Sequence, residues 1–129
     1  MIIPVYNGER VLPDLLEALA AQTYPHQQTE ILVIDNNSVD HTRVVIEQWV
    51  NRGVTYLRCE KQGSYAARNV GIARAKGEVL AFTDADCRPA PDWIQAGVDI
   101  FRSTKVDRIA GIVTLRLSRR PRLWELVAG

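Results

Sequence analysis

The feature that most constrains the fold of this chain is a regular alternation of short apolar runs with longer amphipathic stretches. The apolar runs predict strands at 2–5, 31–34, 54–57, 79–83 and 109–117. The stretches between them predict helices at about 9–22, 38–52, 65–76 and 92–102, with Ser38 as N-cap and Gly53 as C-terminal stop of the second. Strands that alternate with helices in this way are typical of an α/β domain with a mostly parallel sheet.

The length and composition fit one domain spanning residues 1–129. The chain is 47% hydrophobic and 24% charged, and 129 residues bury one core rather than two. The sequence opens inside its first predicted strand and ends at 126–129, where another helix would begin. Both ends therefore fall within predicted secondary-structure elements, so we expect the chain to be a truncated part of a larger domain.

Charge and cysteine content exclude several classes of function. The formal net charge is +1, whereas non-specific binding of nucleic acid needs a strong basic excess. Its first residues lack the basic flank and long apolar stretch of a signal peptide, so we expect none here, and no apolar run comes near the ~20 residues of a membrane span. Its two cysteines do not form a disulfide framework, which favours a cytoplasmic location. Any membrane association, at the inner face, would come from segments absent here.

Polar residues follow several of the predicted strands. Tyr6 comes after the first strand, Asp35 ends the second, and Asp84 and Asp86 follow the fourth. Ligands of open parallel sheets bind outside the carboxyl ends of the strands, where a divalent cation would relieve repulsion between neighbouring carboxylates. The Asp-x-Asp spacing therefore indicates a metal site, although Asp86 could instead cap the next helix.

Four ordered motifs make the sequence distinctive: residues 3–9 (IPVYNGE), 33–42 (VIDNNSVDHT), 66–71 (AARNVG) and 82–87 (FTDADC). Together they closely resemble family 2 glycosyltransferases, which are inverting enzymes. The resemblance runs over essentially the whole chain. It implies the glycosyltransferase A-type fold, a Rossmann-like three-layer sandwich, and transfer of a sugar from a nucleotide-diphosphate sugar to an acceptor.

The resemblance also implies roles for individual residues. Pro4, Tyr6 and Glu9 would line the pocket for the base and ribose, and Asp35 would accept a hydrogen bond from the base edge, which favours uracil. Arg68 would lie near the diphosphate or the nucleoside. On the residues alone, Asp35 could also be an Asx-turn residue and Arg68 could pair with a surface carboxylate.

The same resemblance assigns the Asp-x-Asp segment to the metal and the donor. Asp84 would face the ribose and the metal, Asp86 would coordinate Mg²⁺ or Mn²⁺ directly, and Ala85 belongs to the nucleotide-sugar contact. Asn36 departs from the family, which often has a second aspartate there. We expect the fold to tolerate Asn36, with less negative charge at the rim.

Two alternatives of function stay open at this point. No acidic residue after Asp86 stands in the context of the family's catalytic base, so the base is unassigned and the acceptor pocket is missing. The chain could therefore be the donor-binding part of a glycosyltransferase, or a non-catalytic nucleotide-binding or interaction module. A homodimer through an unpaired sheet edge is a further expectation. The basic stretch 116–122 fits a solvated loop or a contact with anionic phosphates.

Overall fold

The computed structural model describes residues 1–114 and forms a parallel sheet covered by helices. The strands are β1 (Ile2–Val5), β2 (Ile31–Asp35) and β3 (Val54–Arg58), in the order β1-β2-β3. The helices are α1 (Leu12–Ala20), α2 (Thr42–Glu47), α3 (Ser64–Arg74) and α4 (Trp93–Ser103), with short 3-10 turns at His26–Gln28 and Val50–Arg52. Both strand pairings are parallel, with Val5 opposite Asp35 and Asp35 opposite Arg58.

Helices cover both faces of the sheet, which confirms the three-layer arrangement. Side chains of a strand alternate between its faces. One face carries Ile3, Val5 and Val33, and these pack with the leucines of α1 and with Ile46 of α2. The opposite face carries the second cluster, which includes residues from two strands and from α3: Ile2, Leu32, Ile34, Cys59, Ala66 and Ala67.

Small residues bring α3 close to the sheet. A Cβ placed on Gly71 would lie 2.5 Å from Ile2 Cγ2 and 3.0 Å from Ile34 Cδ1, so a larger residue would clash there. Ala66 and Ala67 are also buried against the sheet. Ala73, in contrast, is exposed. The close packing of α3 therefore depends on its first half and on Gly71.

Two predicted strands differ in the structure. Segment 79–83 runs parallel to β1 but makes only one bridge, between Ile2 and Phe82, with Ile2 N donating to Ala81 O at 2.8 Å. The segment is also poorly buried, since more than a third of the surface is exposed in each of Val79, Leu80 and Phe82. Its apolar residues therefore do not form a buried strand. Residues 109–114 form no regular structure, and 115–117 lie outside the described residues.

The predicted helix 38–52 is shorter than expected. Its N-cap is His41 rather than Ser38, because Asp40 accepts the Thr42 N–H at 2.9 Å and closes the first turn. The helix proper ends at Glu47, and a 3-10 turn continues the segment to Arg52. Gly53, at φ 89°, ends the segment as predicted, since left-handed backbone favours glycine.

Helices α1, α3 and α4 lie where the sequence predicted them, within a few residues at each end. Pro13 occupies the first turn of α1, where its missing N–H costs little. The segment that leads into α4 is held by Gln22, whose side chain donates to Ala90 O at 2.7 Å and accepts from Ile94 N at 3.1 Å. Among residues 1–114, no helix has the length and apolar character that crossing a bilayer requires.

Candidate functional site

A cleft of about 320 Å³ opens at the carboxyl ends of β1 and β2. It brings together five of the candidate site residues, which come from three separate segments of the chain. The lining residues are Pro4, Val5, Tyr6, Asn36, Ser64, Arg68, Asp84 and Asp86. Three other candidates, Glu9, Asp35 and Ala85, lie outside this lining.

Tyr6 stands on a loop that is tied to the segment after β2. Its side chain lines the cleft and is 55% exposed. The next residue, Asn7, has φ 49°, a left-handed conformation that asparagine tolerates well. Asn7 N donates to Ser38 Oγ at 2.9 Å, and Val39 N donates to Asn7 Oδ1 at 2.9 Å. These bonds fix the backbone that presents Tyr6, and leave its ring open to a ligand.

Glu9 and Asp40 extend the same connection between the two loops. The Glu9 carboxylate accepts both the backbone N–H and ring Nδ1 of His41, each at 2.9 Å. The backbone N–H bond from His41 is the main reason that the pKa of Glu9 is lowered. Burial acts to raise the pKa of Asp40, but hydrogen bonds from Thr42 and Glu9 N outweigh it and lower that pKa. In this structure Glu9 thus joins the loops behind the cleft, and His41 is its partner.

Asp35 is buried at the end of β2, and both of its carboxylate oxygens accept hydrogen bonds. Oδ1 accepts the Ser38 N–H at 2.9 Å, which is the Asx-turn arrangement, and Oδ2 accepts the Tyr56 hydroxyl at 3.2 Å. Burial and the neighbouring carboxylate of Asp35 raise the pKa of Tyr56, so the phenol remains the donor. A carboxylate can accept more than two hydrogen bonds, so the turn and a base contact are compatible.

Asn36 has a structural role that was not predicted from the sequence. Its side-chain Nδ2 donates to Cys59 O at 3.2 Å and to Lys61 O at 2.7 Å, and its Oδ1 accepts Gly63 N at 2.9 Å. Asn36 therefore holds the loop after β3 and the left-handed Gly63 at the start of α3. An aspartate could not donate the first two bonds. The amide at this position, noted above as a departure from the pattern that the resemblance implies, was the signal available in the sequence.

Arg68 and the Asp-x-Asp segment face each other across the cleft. Arg68 Nη2 donates to Asp84 Oδ1 at 2.7 Å, and Nη1 donates to Ser64 Oγ at 3.1 Å. Ala85 packs against the core while Asp84 and Asp86 are exposed, in a turn that Cys87 N closes by donating to Asp84 O at 3.1 Å. Arg68 thus does pair with an exposed carboxylate, and that carboxylate is one of the candidate metal ligands.

The donor atoms available here suit a hard divalent cation. Both aspartates present carboxylate oxygens to the cleft, and Asp86 Oδ1 is approached by the Cys87 thiol only at 3.9 Å. Within residues 1–114, no cluster of three or more His, Cys, Asp or Glu could complete a metal site. Mg²⁺ and related ions are commonly held by one or two carboxylates plus substrate phosphates, so this pair fits a site completed by a ligand.

Comparison with known sequences identifies the family. The sequence profile of the family described as "Glycosyl transferase family 2" matches residues 1–125. The chain belongs to glycosyl transferase family 2. Among its relatives, glycosyltransferase AglE of Haloferax volcanii is 41% identical over 116 residues, which are 88% of this chain and 38% of AglE.

Solved structures of two other proteins share the fold. The structure of TarS 1–349 of S. aureus in complex with UDP has a TM-score of 0.75 and 28% sequence identity. The match covers 79% of this chain and 31% of the TarS chain. The mannosyltransferase PcManGT of Pyrobaculum calidifontis, in complex with GDP-Man and Mn²⁺, matches 75% of this chain and 30% of its own, with 30% identity and a TM-score of 0.70. The chain spans about a third of the length of these proteins.

Proposed function

We propose that this chain is the donor-binding part of an inverting glycosyltransferase that uses a nucleotide-diphosphate sugar, with UDP as the carrier. The observation that carries the proposal is the cleft, where Tyr6, Arg68, Asp84 and Asp86 meet at the carboxyl edge of the sheet. Family membership and the UDP and GDP-Man bound to structural neighbours support a nucleotide-sugar as the ligand.

Each cleft residue has a part in this proposal. The exposed Tyr6 ring would stack on the base, and Asp35 would accept a hydrogen bond from the base edge. Arg68 would donate to phosphate oxygens, which its planar guanidinium suits. Asp84 and Asp86 would hold Mg²⁺ or Mn²⁺, which offsets the negative charge that develops on the departing diphosphate.

The reaction we propose is a single displacement at the anomeric carbon of the donor sugar. An acceptor hydroxyl oxygen forms the new bond to that carbon as the bond to the diphosphate oxygen breaks, and the configuration inverts. The nucleoside diphosphate leaves with the bonding electrons, and the hydroxyl proton passes to a basic side chain. In this proposal the cleft residues bind and orient the donor. The basic side chain that takes the proton, and the site for the acceptor, belong to other residues of the whole enzyme.

Titration calorimetry with UDP, GDP and dTDP, each with and without Mn²⁺, tests the donor site. We expect Mn²⁺-dependent binding of UDP that Asp86→Asn weakens by about tenfold or more, because one of the two carboxylates loses its charge. Asp99→Asn is the matched control, since Asp99 lies on α4 and accepts a hydrogen bond from Gln95 away from the cleft. Equal UDP affinity in wild type and Asp86→Asn would remove Asp86 from the site.

Asp35→Asn tests the proposed preference for uracil. The variant keeps an oxygen for the Ser38 N–H but weakens acceptance of a base N–H, so UDP should lose affinity relative to GDP. An unchanged ranking of nucleotides would contradict this role of Asp35. If no nucleotide binds to the wild type, the alternative of an interaction module without donor binding replaces the present proposal.

Location and assembly are part of the proposal as well. The two free thiols, Cys59 and Cys87, support a reducing, cytoplasmic compartment, with contact to the inner face of the membrane made by other segments of the enzyme. Strand β3 is at one edge of the described sheet, which supports self-association through that edge. Sedimentation of a monomer at working concentration would contradict the dimer.

A further inference from the structure

We propose that Arg68 couples the binding of a diphosphate to the binding of a divalent cation, because it occupies a cation ligand until a diphosphate draws it away. The inference rests on the proposed donor site and adds an energetic role for one residue. Arg68 would then act as a positioning residue that keeps the cation site closed to a cation arriving without a nucleotide.

The geometry places the guanidinium directly on a proposed cation ligand. Arg68 Nη2 lies 2.7 Å from Asp84 Oδ1, while Nη1 reaches Ser64 Oγ on the preceding turn of α3. The Arg68 side chain is 34% exposed and that of Asp84 is 60% exposed, so the pair stands in the open cleft where a ligand can reach both. The bond to Ser64 fixes the side chain toward Asp84 rather than leaving it free in solvent.

Arg68 and a divalent cation compete for the same oxygen. A cation that takes Asp84 Oδ1 must displace the guanidinium, and it must also approach the positive charge that remains nearby. A diphosphate changes this balance, because its anionic oxygens offer Arg68 a bidentate partner. Once Arg68 has moved to the phosphates, Asp84 is free to join Asp86 in holding the cation.

This exchange predicts positive cooperativity between the two ligands. Binding free energies are reciprocal, so UDP should raise the affinity for Mn²⁺ by the same factor as Mn²⁺ raises the affinity for UDP. Removal of the guanidinium should strengthen the binding of Mn²⁺ alone. The same change should weaken the binding of UDP, and the factor that couples the two ligands should fall.

The experiment measures Mn²⁺ affinity in the absence and in the presence of saturating UDP, for the wild type and for Arg68→Gln. Without UDP, we expect Arg68→Gln to bind Mn²⁺ about three- to fivefold more tightly, which is the upper end of what an exposed ion pair supports. With UDP the gain should vanish or reverse. Arg74→Gln is the matched control, because it removes the same charge from the last turn of the same helix.

A double-mutant cycle separates this exchange from a general effect of charge. In an Asp84→Asn background the pair no longer exists as an ion pair, so Arg68→Gln should leave the affinity for Mn²⁺ nearly unchanged. An effect of equal size in both backgrounds would overturn the inference, as would equal Mn²⁺ affinity in wild type and Arg68→Gln.

The outcomes also distinguish this inference from the proposed function. Binding of UDP with no change in Mn²⁺ affinity on Arg68→Gln would overturn the coupling and leave the donor site standing. Failure of the wild type to bind UDP would remove the proposed function, and the Mn²⁺ titration without nucleotide would still decide whether Arg68 competes for Asp84. Absence of Mn²⁺ binding in every variant, with and without UDP, would overturn both the coupling and the metal site.

Discussion

The Oδ1 atom of Asn36 accepts the backbone N–H of Gly63 at 2.9 Å, which joins the end of β2 to the start of α3 across 27 positions of sequence. The same side chain donates to Cys59 O and Lys61 O, so one amide fixes the whole connection between β3 and α3. Because α3 carries Ser64 and Arg68 into the cleft, Asn36 sets the position of one wall of the candidate site.

Asn36→Asp should destabilise the protein by about 3 kcal/mol, because a buried carboxylate would face two carbonyl oxygens without a proton to donate. Urea unfolding at neutral pH measures the change. Asn37→Asp is the matched control: Asn37 is the next residue, and its Oδ1 accepts from Arg58 Nη2 at 2.8 Å, which an aspartate can also do. Equal stability of the two variants would contradict the role of Asn36.

Gly71→Ala should also lower the free energy of unfolding, by about 1–3 kcal/mol, because the new methyl would overlap Ile2 Cγ2 and push α3 off the sheet. Gly97 of α4 offers the opposite case, since nothing lies within 4 Å of a Cβ placed there. Gly97→Ala should stabilise by about 0.5–1 kcal/mol through the lower entropy of the unfolded chain. Destabilisation by both substitutions, to the same extent, would show that space is not the deciding factor.

Acid should weaken the connection that Glu9 makes between the loop after β1 and the loop after β2. Its pKa is lowered in the folded protein, so its contribution to stability is present above the ordinary value of 4.5 and is lost as the pH falls through the folded pKa. Glu9→Gln should therefore lower Tm at pH 7 and have a smaller effect at pH 3. Thermal melts across this range measure it, with Glu60→Gln, which is 86% exposed, as the control. A Tm difference that does not depend on pH would contradict the ionic role of Glu9.

The phenol of Tyr56 should titrate at a pH above the ordinary tyrosine pKa of 10.0. Burial and Asp35 raise its pKa above 10.0, so the stability it contributes is present below pH 10 and is lost as the pH rises through the folded pKa. Absorbance of tyrosinate in an alkaline titration should show a late component that Tyr56→Phe removes. In Asp35→Asn the same component should move to lower pH. A late component that persists in Tyr56→Phe would assign it to another tyrosine.

The sequence was sufficient for the order of strands and helices and for the family. Continuous apolar runs identified β1 and β2, since strands buried on both faces read as uninterrupted hydrophobic segments. The prediction at 54–57 was also correct, although only Val54 of β3 is fully buried. It failed at segment 79–83, where the residues are equally apolar but pair with β1 only at Phe82. Hydrophobicity records a tendency to be buried, whereas a strand also needs a neighbour in register.

The start of α2 shows a second limit. Ser38 has the residue type and position of an N-cap, yet its hydroxyl accepts Asn7 N from another loop, while Asp40 closes the turn before Thr42. The N-cap is His41, whose side chain makes no capping hydrogen bond, and the Ser38 hydroxyl is bound to a partner 31 positions away. No local pattern contains that partner.

For the site, the residue types alone identified the groups with suitable chemistry: the aromatic ring of Tyr6, the cation of Arg68 and the two carboxylates of the Asp-x-Asp segment. Which partner each of these and the neighbouring polar groups binds became clear only from the folded chain. It tied Glu9 to His41, gave Asp35 to Ser38 and Tyr56, and set Arg68 on Asp84. The reason is physical: a motif specifies donors and acceptors, but the partner each one takes depends on the distances that chain folding sets between segments far apart in sequence.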